Sequence, residues 1–213
     1  VMVARDILLA ELTGARLHIA HVSAAESVRL IREAKARGVR VSCEVTPHHL
    51  ALTEEAVRGF STHAKMNPPL RSEADRQALI EGLRDGTIDA IATDHAPHTV
   101  QEKEQEFDRA PFGVIGLETA LAVTLTTLVH PGVLTLSQAM GKLTSEPARI
   151  LKLPKGRIVE GADADLTIFD PTREWEVDAG TFASKSRNTP FHGWRLKGQA
   201  VATLVAGKVV WEA

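Results

Sequence analysis

The period of the apolar positions changes several times along the chain. Over residues 1–12 they recur at helical spacing with no capping residue ahead of them, which predicts a helix already under way and a chain that begins mid-domain. Arg16-Leu17-His18-Ile19-Ala20 reads as a strand, 24–37 as an amphipathic helix ended by Gly38, and 39–45 as a second strand. A long connection follows, carrying Met66-Asn67-Pro68-Pro69-Leu70. Ser72 then caps a helix that runs to Arg84, Gly86 ends it, and 88–92 reads as a third strand. Strands alternating with helices predict a parallel sheet with right-handed crossovers.

Past the third strand lies a charge-rich segment, 101–109, long enough to form a lid, although its charge run also suits a plain solvated surface. Helices are predicted over 116–129, 135–142 and 146–151. From Gly156 onward the texture becomes short period-two alternations, at 164–169 and 202–210, with Gly and Pro between them. The pattern therefore divides the chain into an α/β part over 1–155 and a small β-rich part over 156–213, with no internal repeat.

Composition narrows the function classes. A chain of 213 residues with 44% apolar content can bury a substantial core, and 25 basic against 27 acidic side chains leave no electrostatic footprint for nucleic acid. No run of about 18 apolar residues is present to span a bilayer, and no signal segment opens the chain, so the expected address is the cytoplasm. The single cysteine, Cys43, excludes an internal disulfide framework and fits a reducing compartment. A small-molecule partner is expected. Nine histidines, several at the ends of apolar runs, are the first sign of chemistry.

In a parallel β/α barrel the reactive groups project from the carboxyl ends of the strands. Here those ends read His21-Val22-Ser23, Thr46-Pro47-His48-His49 and Thr93-Asp94-His95-Ala96-Pro97-His98. Asp94 suits a carboxylate that binds a metal and takes a proton from attacking water, or alternatively one that caps a following helix. His21 is equally readable as a ligand or as a hydrogen-bonded core group. His18 falls on the opposite face of the same strand by period-two alternation, which predicts that the two histidines do not share a site.

Taken together, Ile-Ala-Thr-Asp-His-Ala-Pro-His (91–98), Lys-Met-Asn-Pro-Pro-Leu-Arg (65–71), Ala-Pro-Phe-Gly (110–113), Cys-Glu-Val-Thr-Pro-His-His-Leu (43–50) and Ser-Glu-Pro-Ala-Arg-Ile-Leu (145–151) resemble bacterial dihydroorotases over nearly the whole chain. The resemblance implies a TIM-like eight-stranded β/α barrel with two zinc ions and a flanking β domain, of which this chain supplies the C-terminal part. It implies His21 as a zinc ligand, and Asp94 as both a zinc ligand and the catalytic proton acceptor. Asn67, His98 and the Phe112-Gly113 backbone are implied to contact the substrate, while His18, His48, His49 and His95 are given supporting or packing roles.

The implied reaction interconverts dihydroorotate and N-carbamoyl-L-aspartate in pyrimidine biosynthesis, with a homodimer or an aspartate transcarbamoylase complex as possible assemblies. The family's early His-x-His pair, bridging carboxylate and further His have no counterpart in this chain. A full barrel takes about 250 residues, so three or four strands are expected here, and residues 1–213 alone are expected to be inactive. Two further readings stand beside this one: a hydantoinase- or allantoinase-type amidohydrolase, and a non-catalytic dihydroorotase-like partner of aspartate transcarbamoylase.

Overall fold

In the computed structural model, which describes residues 1–213, the first part of the chain forms α1 (Met2–Thr13), β1 (Leu17–Ile19), α2 (Ala25–Ala36), β2 (Val41–Val45), a short α3 (Pro47–Ala51), α4 (Glu73–Arg84) and β3 (Ala90–Ile91). The strands make a parallel sheet in the order β1-β2-β3, with Leu17 opposite Val41, Ile19 opposite Cys43 and Val45 opposite Ile91. On β2, Val41, Cys43 and Val45 are buried, while Ser42 and Glu44 alternate with them and are only partly covered. The buried set packs against Val28, Ile31 and Ala34 of α2, spaced by three, and against Leu79 and Leu83 of α4. Ser72 starts α4 by accepting the Asp75 amide at 3.3 Å. Cys43 lies wholly inside this core with Sγ 3.3 Å from the Thr87 carbonyl, and burial pushes its thiol up to about 12.

The chain continues through α5 (Val100–Lys103), α6 (Ala120–Thr124), α7 (Leu136–Leu143) and α8 (Ser145–Leu151) to an antiparallel sheet of β4 (Leu166–Glu176), β5 (Arg195–Val205) and β6 (Lys208–Glu212), with β5 central. Three features depart from the sequence pattern. The segment expected as an open loop contains a full helical turn, α5, closed by a capping box between Thr99 and Glu102. The helix expected over 116–129 starts only at Ala120 and widens into a π-helical turn over Leu125–Val129. The alternation at 202–210 is a hairpin, because Ala206 and Gly207 both take positive φ (49° and 76°) and form its two-residue turn, with the Ala206 amide held by Asp165 Oδ1 at 2.8 Å.

A second core joins the two sheets' surroundings. Leu52, Met66, Leu70, Val114, Ile115 and Val123 pack with Val177, Phe182, Phe191 and Leu196 from the segment around β4 and β5. The connection between those two strands thus supports the loops over 65–70 and 110–115. No helix is long and apolar enough to cross a membrane.

Where β5 passes Leu125 the backbone needs a glycine. Gly198 has φ +99°, and a Cβ there would stand 2.2 Å from the buried Leu125 Cδ1. Its carbonyl also accepts the Trp175 indole N–H at 3.0 Å. Gly198→Ala is expected to cost about 1–3 kcal/mol of stability through strain and overpacking, read as a lower urea midpoint with unchanged slope. An unchanged midpoint would show that β5 relaxes freely at this point.

Candidate active site at the carboxyl ends of the parallel strands

β1 and β3 lie on either side of β2, and the residues that follow them both leave the extended conformation by turning left-handed. His21 has φ 54° and Asp94 φ 47°, a conformation uncommon for residues with a Cβ. The two turns aim the side chains at each other across the end of β2, placing His21 Nε2 3.5 Å from Asp94 Oδ1. Both groups are about a quarter to a third exposed, at 26% and 30%, so they are accessible at the rim.

Beneath them, from the polar face of β2, comes Glu44, which the sequence pattern did not single out. Its Oε1 lies 2.9 Å from His21 Nδ1, and its Oε2 lies 3.4 Å from His18 Nε2. The His21 contact is at hydrogen-bond distance, although its angle is poor for the ring N–H. It raises the His21 pKa, opposed by burial and aided by Asp94. Burial pushes the Glu44 carboxyl up, but the His21 and His18 contacts outweigh it and leave the group below the ordinary range.

His18 and His21 meet at Glu44, and of the two it is His21 that approaches Asp94. Strand geometry ends at Ile19, and the left-handed turn at His21 breaks the alternation, so both rings reach one carboxylate. A strand-internal Glu flanked by Val, Cys and Val was the available signal for Glu44, since alternation alone puts it on the face opposite the core.

The pair His21 and Asp94 fits part of a metal site. Two donors held about 2.1 Å from a tetrahedral Zn²⁺ stand roughly 3.4 Å apart, close to the 3.5 Å found. Glu44 behind Nδ1 leaves Nε2 for a ligand, the arrangement that orients metal-binding imidazoles. Nowhere in the chain do three His, Cys, Asp or Glu side chains come together as a group able to hold an ion, so by itself this pair would supply two donors.

Of the other expected residues, two are bonded to each other: His98 reaches the Phe112 carbonyl from Nε2 at 2.8 Å. Gly113 touches the same loop, where an added Cβ would lie 2.6 Å from Ala96 Cβ and 3.1 Å from His98 Nε2. Its amide donates to the Lys65 carbonyl at 2.9 Å, and its carbonyl accepts from Lys103 Nζ and Asn188 Nδ2, both at 3.1 Å. What Gly113 offers is therefore close approach, its polar groups being engaged within the chain. Phe112 is exposed, with Lys65 Nζ 4.7 Å from its ring centroid, and Asn67 is exposed two residues beyond Lys65.

The remaining histidines divide. His95 Nδ1 accepts the amides of Gly116 and Leu117 at 3.2 and 3.3 Å. His49 accepts at Nδ1 from the Thr46 hydroxyl at 2.7 Å and donates from Nε2 to the Pro68 carbonyl at 2.9 Å, tying α3 to the Asn67 segment as a neutral ring. Burial lowers it to about 4, and burial likewise holds His48 well below its ordinary value.

Comparison with known proteins identifies the family and the fold. The sequence matches the amidohydrolase family over residues 3–210. It is 64% identical over 212 residues to a dihydroorotase of Pelotomaculum thermopropionicum and 58% identical over 212 residues to one of Syntrophus aciditrophicus, covering 100% of this chain and 50% of each relative. Among solved structures, an L-hydantoinase from Arthrobacter aurescens superposes with a TM-score of 0.93 at 36% identity, and a dihydropyrimidinase from Brevibacillus agri with 0.93 at 28%. Each superposition covers 99% of this chain and 48% of the other. The chain thus spans about half the length of the curated relatives it matches. The expected class, parallel β/α barrel strands followed by a small β-rich segment, is the fold that these superpositions show.

The neutral burial of His49 has a pH signature. Its folded pKa of about 4 lies below the ordinary 6.5, so the unfolded chain binds the extra proton first as pH falls. The contribution is complete above about pH 6.5 and is lost progressively down to about pH 4, roughly 3 kcal/mol in all, with His48 adding in the same direction. Urea unfolding at pH 7 and pH 4.5 should show this loss, and His49→Gln should flatten it. An equal pH dependence in the variant would mean that the ring is not held neutral.

Proposed function

We propose that this chain, which belongs to the amidohydrolase family, supplies part of the active site of a zinc-dependent dihydroorotase, interconverting dihydroorotate and N-carbamoyl-L-aspartate in pyrimidine biosynthesis. The observation that carries the reading is the 3.5 Å approach of His21 Nε2 and Asp94 Oδ1 on two left-handed strand ends. In this reading residues 1–155 are the C-terminal part of the barrel and 156–213 a β-rich domain segment. The substrate is recognised beside Asn67, His98 and Phe112-Gly113.

His21 and Asp94 would hold zinc, whose Lewis acidity polarises a carbonyl and acidifies water, while the remaining ligands lie outside this chain. Asp94 takes the proton of the attacking water as the new C–O bond forms at the ring carbonyl. It then delivers that proton to the ring nitrogen as the C–N bond breaks, so the nitrogen leaves as the NH₂ of the ureido group and the carbon becomes a carboxylic acid, which releases its remaining proton to solvent as a carboxylate. Glu44 holds the His21 ring from behind, fixing the nitrogen it presents. His98, fixed by its bond to the Phe112 carbonyl, and the exposed Asn67 orient the substrate's carboxylate and ring amide.

A hydantoinase-type activity is the second reading, favoured by the solved structures that superpose on the chain. The higher sequence identities, however, belong to relatives named dihydroorotase. Side-by-side turnover of dihydroorotate and hydantoin by the full-length protein decides between them, with dihydroorotate expected to be preferred. Asp94→Asn in that protein should lower kcat by about 10²–10⁴-fold, and near-normal turnover would remove the proton-transfer role. Glu44→Gln should weaken zinc binding by about 10–100-fold in a metal-competition titration. A polypeptide of residues 1–213 alone should turn over no dihydroorotate with zinc added.

A further inference from the structure

Three buried polar side chains converge on the loops that carry His98 and Phe112, and none belongs to the rim itself. Asn188, 2% exposed in the connection between β4 and β5, uses its whole amide on those loops. Its Oδ1 accepts the His98 amide at 3.2 Å, and its Nδ2 donates to the Ala96 carbonyl at 2.9 Å and the Gly113 carbonyl at 3.1 Å. Its backbone carbonyl accepts the Ile115 amide at 3.0 Å.

Lys103, also 2% exposed, sends its ammonium to the Pro111 and Gly113 carbonyls at 2.9 and 3.1 Å. Lys65, 7% exposed, binds the carbonyls of Phe107 and Ala110 at 2.5 Å and of Asp108 at 3.1 Å. Neither lysine has a carboxylate partner among these bonds. Burying an ammonium costs several kcal/mol unless its protons are well bonded, and an aliphatic side chain could fill the same space at lower cost. What the cations add is a set of directed bonds that turn the carbonyls of 107–113 inward.

The bonds close a circuit. Asn188 holds the backbone of His98, His98 holds the Phe112 carbonyl, Lys103 holds the carbonyls on either side of Phe112, and Gly113 returns to Asn188. We infer that Asn188 and Lys103 are positioning residues for substrate recognition, setting the spacing between His98 and the Phe112-Gly113 backbone without touching the substrate themselves. This rests on the proposal above that those loops face the substrate ring. Because the circuit shapes the recognition loops and leaves the His21–Asp94 pair alone, loosening it weakens substrate binding and leaves the bond-making step nearly intact.

The test uses the full-length, zinc-loaded protein. Asn188→Asp keeps the size and Oδ1 but sets an oxygen against two carbonyls, and Lys103→Met keeps the stem and loses the ammonium. Each is expected to raise KM for dihydroorotate about tenfold or more while kcat stays within about threefold and zinc content is unchanged. Lys103→Arg should restore KM to within about threefold of the parent, since its guanidinium can again donate to both carbonyls. A folded variant with parental KM overturns the inference. So does a loss of zinc together with KM, or failure of both variants to fold, either of which marks the circuit as a purely structural tie. If the parent protein turns over no dihydroorotate, the functional proposal has failed instead, and the same KM series on hydantoin then decides the positioning role.

Discussion

Two strands that are not neighbours must present an imidazole and a carboxylate to one point, and this requirement governs the rest of the molecule. β1 and β3 flank β2, so their backbones stand roughly 9–10 Å apart. Side chains leaving regular strands would point along the sheet normal and would not meet. The left-handed turns at His21 and Asp94 bend both groups over the end of β2, at a strain of about 1–3 kcal/mol each. The helix-facing core of α2, β2 and α4 supplies the rigidity that sustains it, and Glu44 fills the space under the pair with a charge that His21 and His18 both meet.

The electrostatic design separates two tasks. At the rim, His21 and Asp94 stay partly exposed and close to one another. Away from it, burial favours the neutral forms of titratable groups. His48 and His49 are driven neutral, and Lys103 is lowered to about 8 by burial and by the neighbouring Lys65 charge. The Lys103 ammonium gives its protons to the Pro111 and Gly113 carbonyls. Buried polar groups of this kind are stabilising only when fully bonded, so they define one arrangement of the surrounding loops and penalise others.

Much of this organisation was legible in the sequence, and the illegible parts share a physical cause. The β-α-β alternation and the polar strand ends at His21 and Asp94 follow from local periodicity, which survives folding because each helix and strand buries its own apolar stripe. The meeting of His18 and His21 at Glu44 was not legible, because alternation holds only while the backbone stays extended, and one left-handed residue cancels it. The hairpin at Ala206-Gly207 was hidden in the same way, since an alanine at positive φ has no composition cue. Asn188 lay beyond reach for a different reason: its partners His98, Ala96 and Gly113 are 75 to 92 residues away, and no local pattern encodes such a contact.

Cys43 shows a further side of the same packing. Enclosed between the sheet and its helices, with a thiol pushed up to about 12, it carries a thiolate fraction on the order of 10⁻⁵ at neutral pH. The chain's only sulfhydryl is thereby insulated from alkylating agents, mercurials and oxidants that attack the ionised form. Within residues 1–213, a cysteine engineered onto the surface would be far more reactive than Cys43, so a fluorophore or spin label can be attached at a chosen loop of this stretch without first removing Cys43.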